Sequence, residues 1–89
     1  MNVCYIVHIS GRVQGVYFRA SSQQQAIDYS LSGYARNLAD GNVEVVLCGE
    51  EKHIEKMLLW LANGPEKAEV TEINHKQIPW QEHSFFSIG

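Results

Sequence analysis

Eighty-nine residues, 45% of them apolar and 19% charged, suffice for one small folded domain spanning 1–89 and are too few for two. Seven Lys and Arg against ten Asp and Glu give a net charge of −3, without the basic surplus that a nucleic-acid partner would call for. The longest apolar run, Met57 to Ala62, is far short of the roughly 20 residues that cross a bilayer. Nor does the N-terminus carry the basic and apolar stretches of a secretion signal. The expectation is a soluble cytoplasmic protein with no membrane and no nucleic-acid partner.

In chain order, Val3 to Ser10 is β-branched and apolar and predicts a buried strand. The glycine-punctuated stretch Gly11-Arg-Val-Gln-Gly15 follows, and a helix is predicted over Ala20 to Leu31, with Ser22, Ala26, Ile27 and Leu31 on one face. Gly33 suits the left-handed position after its end. Tyr34 to Leu38 and Asn42 to Cys48 flank Asp40-Gly41, a hairpin signal. Glu50 to Asn63 is the clearest helix. Ile54, Met57, Leu58, Leu61 and Ala62 form its apolar stripe, and Gly64-Pro65 stops it. Ala68 to Ile78 predicts another strand, Pro79 to Ser84 a loop, and Phe85 to Ile88 a short final strand. The order β-α-β-β-α-β plus a small extra strand is that of an α+β, ferredoxin-like sandwich, two helices on one face of an antiparallel sheet. Many functions share that fold, so chemistry has to be argued from particular residues.

Charge placement points to the first half of the chain. All three arginines (Arg12, Arg19, Arg36) precede residue 40, and all four lysines follow residue 50. Arginine is the planar, bidentate binder of oxyanions. At the junction Gly11 to Arg19, glycine allows a sharp turn, and the N–H groups of Gln14, Gly15, Val16, Tyr17 and Phe18 can converge on one anion at a helix N-terminus. Arg19 adds a fork of donors for two of its oxygens. The junction is neither a Walker A loop nor a dinucleotide fingerprint, and by itself it is more simply a tight strand-to-helix turn with a solvated arginine. Asn37, just before the hairpin, offers an acceptor and two donors suited to orienting a water, or else a local turn contact.

Taken together, Gly11-Arg-Val-Gln-Gly-Val-Tyr-Phe-Arg19 and Gly33-Tyr-Ala-Arg-Asn37-Leu-Ala-Asp-Gly41-Asn-Val-Glu44 closely resemble the two signature stretches of the acylphosphatase family, in the family's order and spacing. Gly64-Pro65 and Phe86-Ser-Ile88 extend the resemblance over essentially the whole chain, with Ala39 standing where the family often has proline. The resemblance implies hydrolysis of the mixed anhydride of a carboxylic acid and phosphate. Arg19 then matches the phosphate-binding arginine, Gln14 to Phe18 the loop amides, and Asn37 the asparagine that positions the water. It also implies a monomer without cofactor or metal that acts on a small acyl phosphate. The alternative is a non-catalytic accessory module that binds an acyl or carbamoyl phosphate.

The remaining residues are read as structural. Arg12 and Arg36 are solvated cations, and Asp40 is a turn carboxylate. The four histidines (His8, His53, His75, His83) fall at no metal-ligand spacing with cysteine. Cys4 opens the first strand and Cys48 closes the third, and the topology sets these strands side by side. The pair can therefore form a disulfide, although a reducing compartment favours two thiols.

Overall fold

Side chains alternate across a strand, and along β1 (Asn2–Arg12) that alternation separates two faces. Val3, Val7 and Ile9 point into the main core, whereas Cys4, Ile6 and His8 occupy the other side. The computed structural model describes residues 1–89 in the element order β1, α1 (Phe18–Asp28), β2 (Ser32–Asn37), β3 (Val43–Glu50), α2 (Glu51–Asn63), β4 (Glu69–Ile78) and β5 (Phe86–Ile88). The strands form one sheet in the order β4-β1-β3-β2-β5.

The ferredoxin-like arrangement is as expected, with one correction: the sheet is mixed. β1 to β4 pair antiparallel, but β5 runs parallel to β2, with Gly33 opposite Phe86 and Ala35 opposite Ile88. The connection after β4 leaves one edge of the sheet and reaches the other, which returns the chain in the direction of β2. On the way it crosses the face away from the helices. There the Gln81 N–H donates to Cys4 Sγ at 3.3 Å, and the His83 ring stands 6.0 Å from that of Tyr34.

α2 forms as its stripe predicts: Ile54, Met57 and Leu61 are buried against the sheet, although Ala62 faces solvent. α1 departs more. It begins at Phe18 rather than Ala20, ends at Asp28 rather than Leu31, and buries only Phe18, Ser22 and Ala26. Ile27, expected on the inner face, is 57% exposed. Beyond Phe18 the inner face of α1 carries the small residues Ser22 and Ala26 in place of a run of large apolar side chains.

Gly33 is not a helix cap. The left-handed residue after α1 is Ser30, at φ 56°, and Gly33 lies inside β2. There a Cβ would meet the Val46 carbonyl oxygen at 1.9 Å, so the close strand contact admits only glycine.

Cys4 and Cys48 face each other in the β1–β3 register, 4.1 Å apart at Cα, and are joined in a disulfide. With Val46 they make a small second core on the face away from the helices, beside Ile6, Tyr34 and Ile78. The bond spans 44 residues of sequence, and closing a loop of that size removes unfolded-chain entropy worth roughly 2–4 kcal/mol. At about 4–8 °C per kcal/mol for a domain of this size, reduction is expected to lower Tm by about 10 °C or more. Thermal melts with and without reductant, beside a Cys4→Ser, Cys48→Ser double variant, check this. Superimposable melts would show that the bond adds nothing.

Candidate active site

The strand-to-helix junction is anchored from both sides of a single exposed residue. Val16 and Phe18 are buried, Phe18 to 1% exposure against the Trp60 ring at 6.2 Å. Tyr17 between them is forced outward, 79% exposed, in the left-handed region at φ 59°, ψ 24°. Gly15, also at positive φ (74°), lets the chain double back before it. The result is a tight curl that ends on the N-terminus of α1.

The backbone amides of this curl have no acceptor in the protein. No N–H from Gln14 to Ala20 makes a hydrogen bond, and the first inward-directed bond of α1 runs from Ser21 N to Tyr17 O at 2.9 Å. The N-cap residue supplies no side-chain bond either. Such a row of free donors at a helix start, where the helix dipole is positive, favours an anion.

Arg19 and Asn37 meet this curl in one cavity of about 340 Å³, lined by Val13, Gly15, Tyr17, Phe18, Arg19, Ala20, Asn37 and Ile88. Arg19 stands on the first turn of α1. Its Nη1 donates to the Gly89 carbonyl, and the Gly89 N–H in turn donates to Ala35 O at 3.3 Å. Asn37 closes β2, and its carboxamide has no protein partner. Both side chains are thus referenced to β2: Asn37 by sitting at its end, Arg19 through the β5 tail that docks on it.

Of the residues expected in the site, Gly15, Tyr17, Phe18, Arg19 and Asn37 line this cavity. Gln14 and Val16 do not. The Val16 side chain is in the core, and the Gln14 carboxamide turns to the β2–β3 hairpin, where Nε2 donates to Leu38 O and Asn42 O, both at 2.9 Å. Ile88 is a wall that sequence reading missed, because nothing in Phe86-Ser-Ile88 indicates which strand β5 joins. Of the eight lining residues only Tyr17 and Arg19 ionise; no carboxylate or histidine side chain lines the cavity. Nor do three or more His, Cys, Asp or Glu side chains gather anywhere as a metal site.

On the far side of the sheet, Arg36 is solvated as expected, its side chain 56% exposed, and is in addition paired with Glu44. Glu44 is 7% exposed, and its carboxylate meets three partners: His8 Nε2 at 3.0 Å, Tyr34 Oη at 3.0 Å and Arg36 Nε at 2.8 Å. The β-register explains the convergence, since both His8 and Arg36 are direct cross-strand partners of Glu44. Burial works against the Glu44 charge, but the hydrogen bonds from His8, Tyr34 and Arg36 outweigh it and hold the carboxyl below its usual 4.5. Burial and the Glu44 contact together raise the Tyr34 phenol above 10.0.

A carboxyl depressed in the fold adds stability that is complete above its unfolded value, near 4.5, and lost as pH falls through the lower folded value. Glu44→Gln is therefore expected to cost about 1–3 kcal/mol at neutral pH and to flatten the loss of stability on acidification below that value. Urea titrations of both proteins from pH 6 to about pH 3 check it. Parallel pH profiles would remove Glu44 from the account.

The site lies in a chain whose relatives are consistent. The family model described as acylphosphatase matches residues 5–88. An acylphosphatase of Colwellia psychrerythraea is 82% identical over 89 residues, the whole of each chain. Among solved structures, the acylphosphatase from Coxiella burnetii superposes with a TM-score of 0.96 at 39% identity, covering 99% of this chain and 93% of that one. The acylphosphatase from Bacillus subtilis gives 0.93 at 34% identity, covering 100% and 99%. Agreement in sequence and in fold along nearly the full length shows that this chain belongs to the acylphosphatase family, the hydrolases of acyl phosphates.

Proposed function

We propose that residues 1–89 act as one unit in which the curl from Gln14 to Arg19 grips the phosphoryl group of an acyl phosphate while Asn37 orients the attacking water. The observation that carries this reading is the shared cavity: unpartnered amides, one guanidinium and one unpartnered carboxamide border the same space.

The reaction asks little of the protein beyond placement and charge. Water oxygen attacks phosphorus, the bond from phosphorus to the bridging oxygen breaks, and the carboxylate leaves with the bonding pair. Its conjugate acid has a pKa near 4–5, comparable to Asp and Glu side chains, so it departs unprotonated and needs no general acid. Negative charge on the equatorial phosphoryl oxygens is met by Arg19 and by the amides, which point at it without reorganising. The Asn37 carboxamide does not titrate, so it holds the water by hydrogen bonds and takes no proton. The water's proton passes to a phosphoryl oxygen of the substrate itself, which accords with a cavity bordered by no carboxylate or imidazole.

A module that only held the anion would have no use for a carboxamide beside it, and the test separates the two. Benzoyl phosphate is incubated with the protein, with and without chelator and no metal added. The reading expects turnover far above the spontaneous rate and insensitive to the chelator. Saturable binding without turnover would leave the accessory module, and loss of turnover with chelator would overturn the chemistry described.

A further inference from the structure

The curl and the hairpin that carry the two halves of the site are separate segments, and one side chain joins them. Gln14 lies between the buried Val13 and the turn at Gly15. Its Nε2 uses both hydrogens across the mouth of the hairpin, on Leu38 O and Asn42 O. Those carbonyls bracket the hairpin loop, where Leu38 N–H already donates to Asn42 O at 2.8 Å. These are the only side-chain hydrogen bonds between residues 13–17 and residues 37–43. Leu38 directly follows Asn37, and Asn37 has no side-chain bond of its own to fix where it stands.

We propose that Gln14 is a positioning residue for hydrolysis: its carboxamide sets the distance between the amides that grip the phosphoryl group and the Asn37 that aims the water. This rests on the reading of Asn37 given above. The chemistry of the contact selects glutamine. Two carbonyl oxygens need two donors from one uncharged nitrogen, which a primary amide supplies. Asparagine is one methylene too short for the same reach. Glutamate would set a carboxylate against two carbonyl oxygens, although once protonated it can donate to one of them. Displacing a catalytic group by about 1 Å can cost about 100-fold in rate, so a loosened hairpin is felt in turnover before it is felt in the grip on phosphate.

The test is a double-mutant cycle on wild type, Gln14→Ala, Asn37→Ala and the double variant, reading kcat and KM for benzoyl phosphate and inhibition by inorganic phosphate. Gln14→Ala is expected to lower kcat about 10- to 100-fold, with KM and phosphate inhibition little changed. In the Asn37→Ala background the same substitution is expected to change kcat by no more than about twofold, because the group it positions has gone. Gln14→Glu supplies a second readout that also serves if Gln14→Ala fails to fold. Its kcat relative to wild type is expected to rise as pH falls from 7 to 5, and to stay level in the Asn37→Ala background. Multiplicative effects of the two substitutions, a wild-type kcat in Gln14→Ala, or a loss confined to KM and phosphate inhibition would each overturn the role of Gln14 while leaving that of Asn37 standing. A wild-type kcat in Asn37→Ala would overturn both.

Discussion

Replacing Arg19 with alanine is expected to lower kcat/KM for benzoyl phosphate by about 1,000-fold or more, the largest single effect in the molecule. The guanidinium is the only cationic group on the cavity, and no second cation lines it to take over. In the proposed role its charge acts on the bound anion and more strongly on the transition state, so both KM and kcat are expected to suffer. Arg19→Lys is expected to recover only part of the loss, because an ammonium cannot match two oxygens with a planar fork. Steady-state kinetics with inhibition by inorganic phosphate check the division: Arg19→Ala should bind phosphate weakly as well as turn over slowly. A variant that kept phosphate affinity would place the grip entirely in the loop amides.

Asn37→Ala should produce the complementary pattern. If, as proposed, the carboxamide meets the water and not the anion, kcat falls by about 100- to 1,000-fold while KM and phosphate inhibition stay near wild type. Asn37 is exposed at a strand end and its side chain makes no hydrogen bond within the protein, so truncation should leave stability almost unchanged. That makes the variant a clean probe, since a slow enzyme that melts at the wild-type temperature isolates the role of the water. Asn37→Asp serves as a control, because it keeps the shape and sets a carboxylate against the anion. It is expected to raise KM in addition to lowering kcat. Full activity in Asn37→Ala would remove the residue from the mechanism.

Why these two residues stood out in the sequence, and others did not, follows from where structural information resides. α2 was legible because five apolar side chains repeat at helical spacing, and the hairpin because Asp40-Gly41 separates two strand-like runs. α1 was harder. Beyond Phe18 its buried face is only Ser22 and Ala26, which carry little amphipathic signal, and its true start depends on a left-handed tyrosine held by two buried neighbours. Gly33 shows a glycine whose local meaning is ambiguous: it suits a helix cap equally well, and only the approach of Val46 O reveals a packing reason.

Cross-strand register accounts for most of what was missed. Glu44 sits between Val43 and Val45, so alternation alone turns it outward. That His8 and Arg36 both lie opposite it, and bury it, appears only once β1, β3 and β2 are paired. The sequence accordingly shows Arg36 as a solvated cation and not its pairing with Glu44. The parallel docking of β5, and with it Ile88 as a wall of the cavity, depends on a seven-residue crossing that leaves no local trace. Gln14 was legible as part of a loop, but not the direction of its side chain. For Cys4 and Cys48 the topology was enough to bring the pair together, and the structure joins them.

The direct test of the mechanism is where the oxygen of water ends up. Benzoyl phosphate is hydrolysed in oxygen-18 water by the wild-type protein and by Arg19→Ala, and both products are analysed by mass. If the curl and Arg19 hold the phosphoryl group while Asn37 aims the water, the label enters inorganic phosphate alone, at a rate that Arg19→Ala lowers by about 1,000-fold or more. Label in the benzoate would mean attack at the carbonyl carbon and would contradict the mechanism at its root.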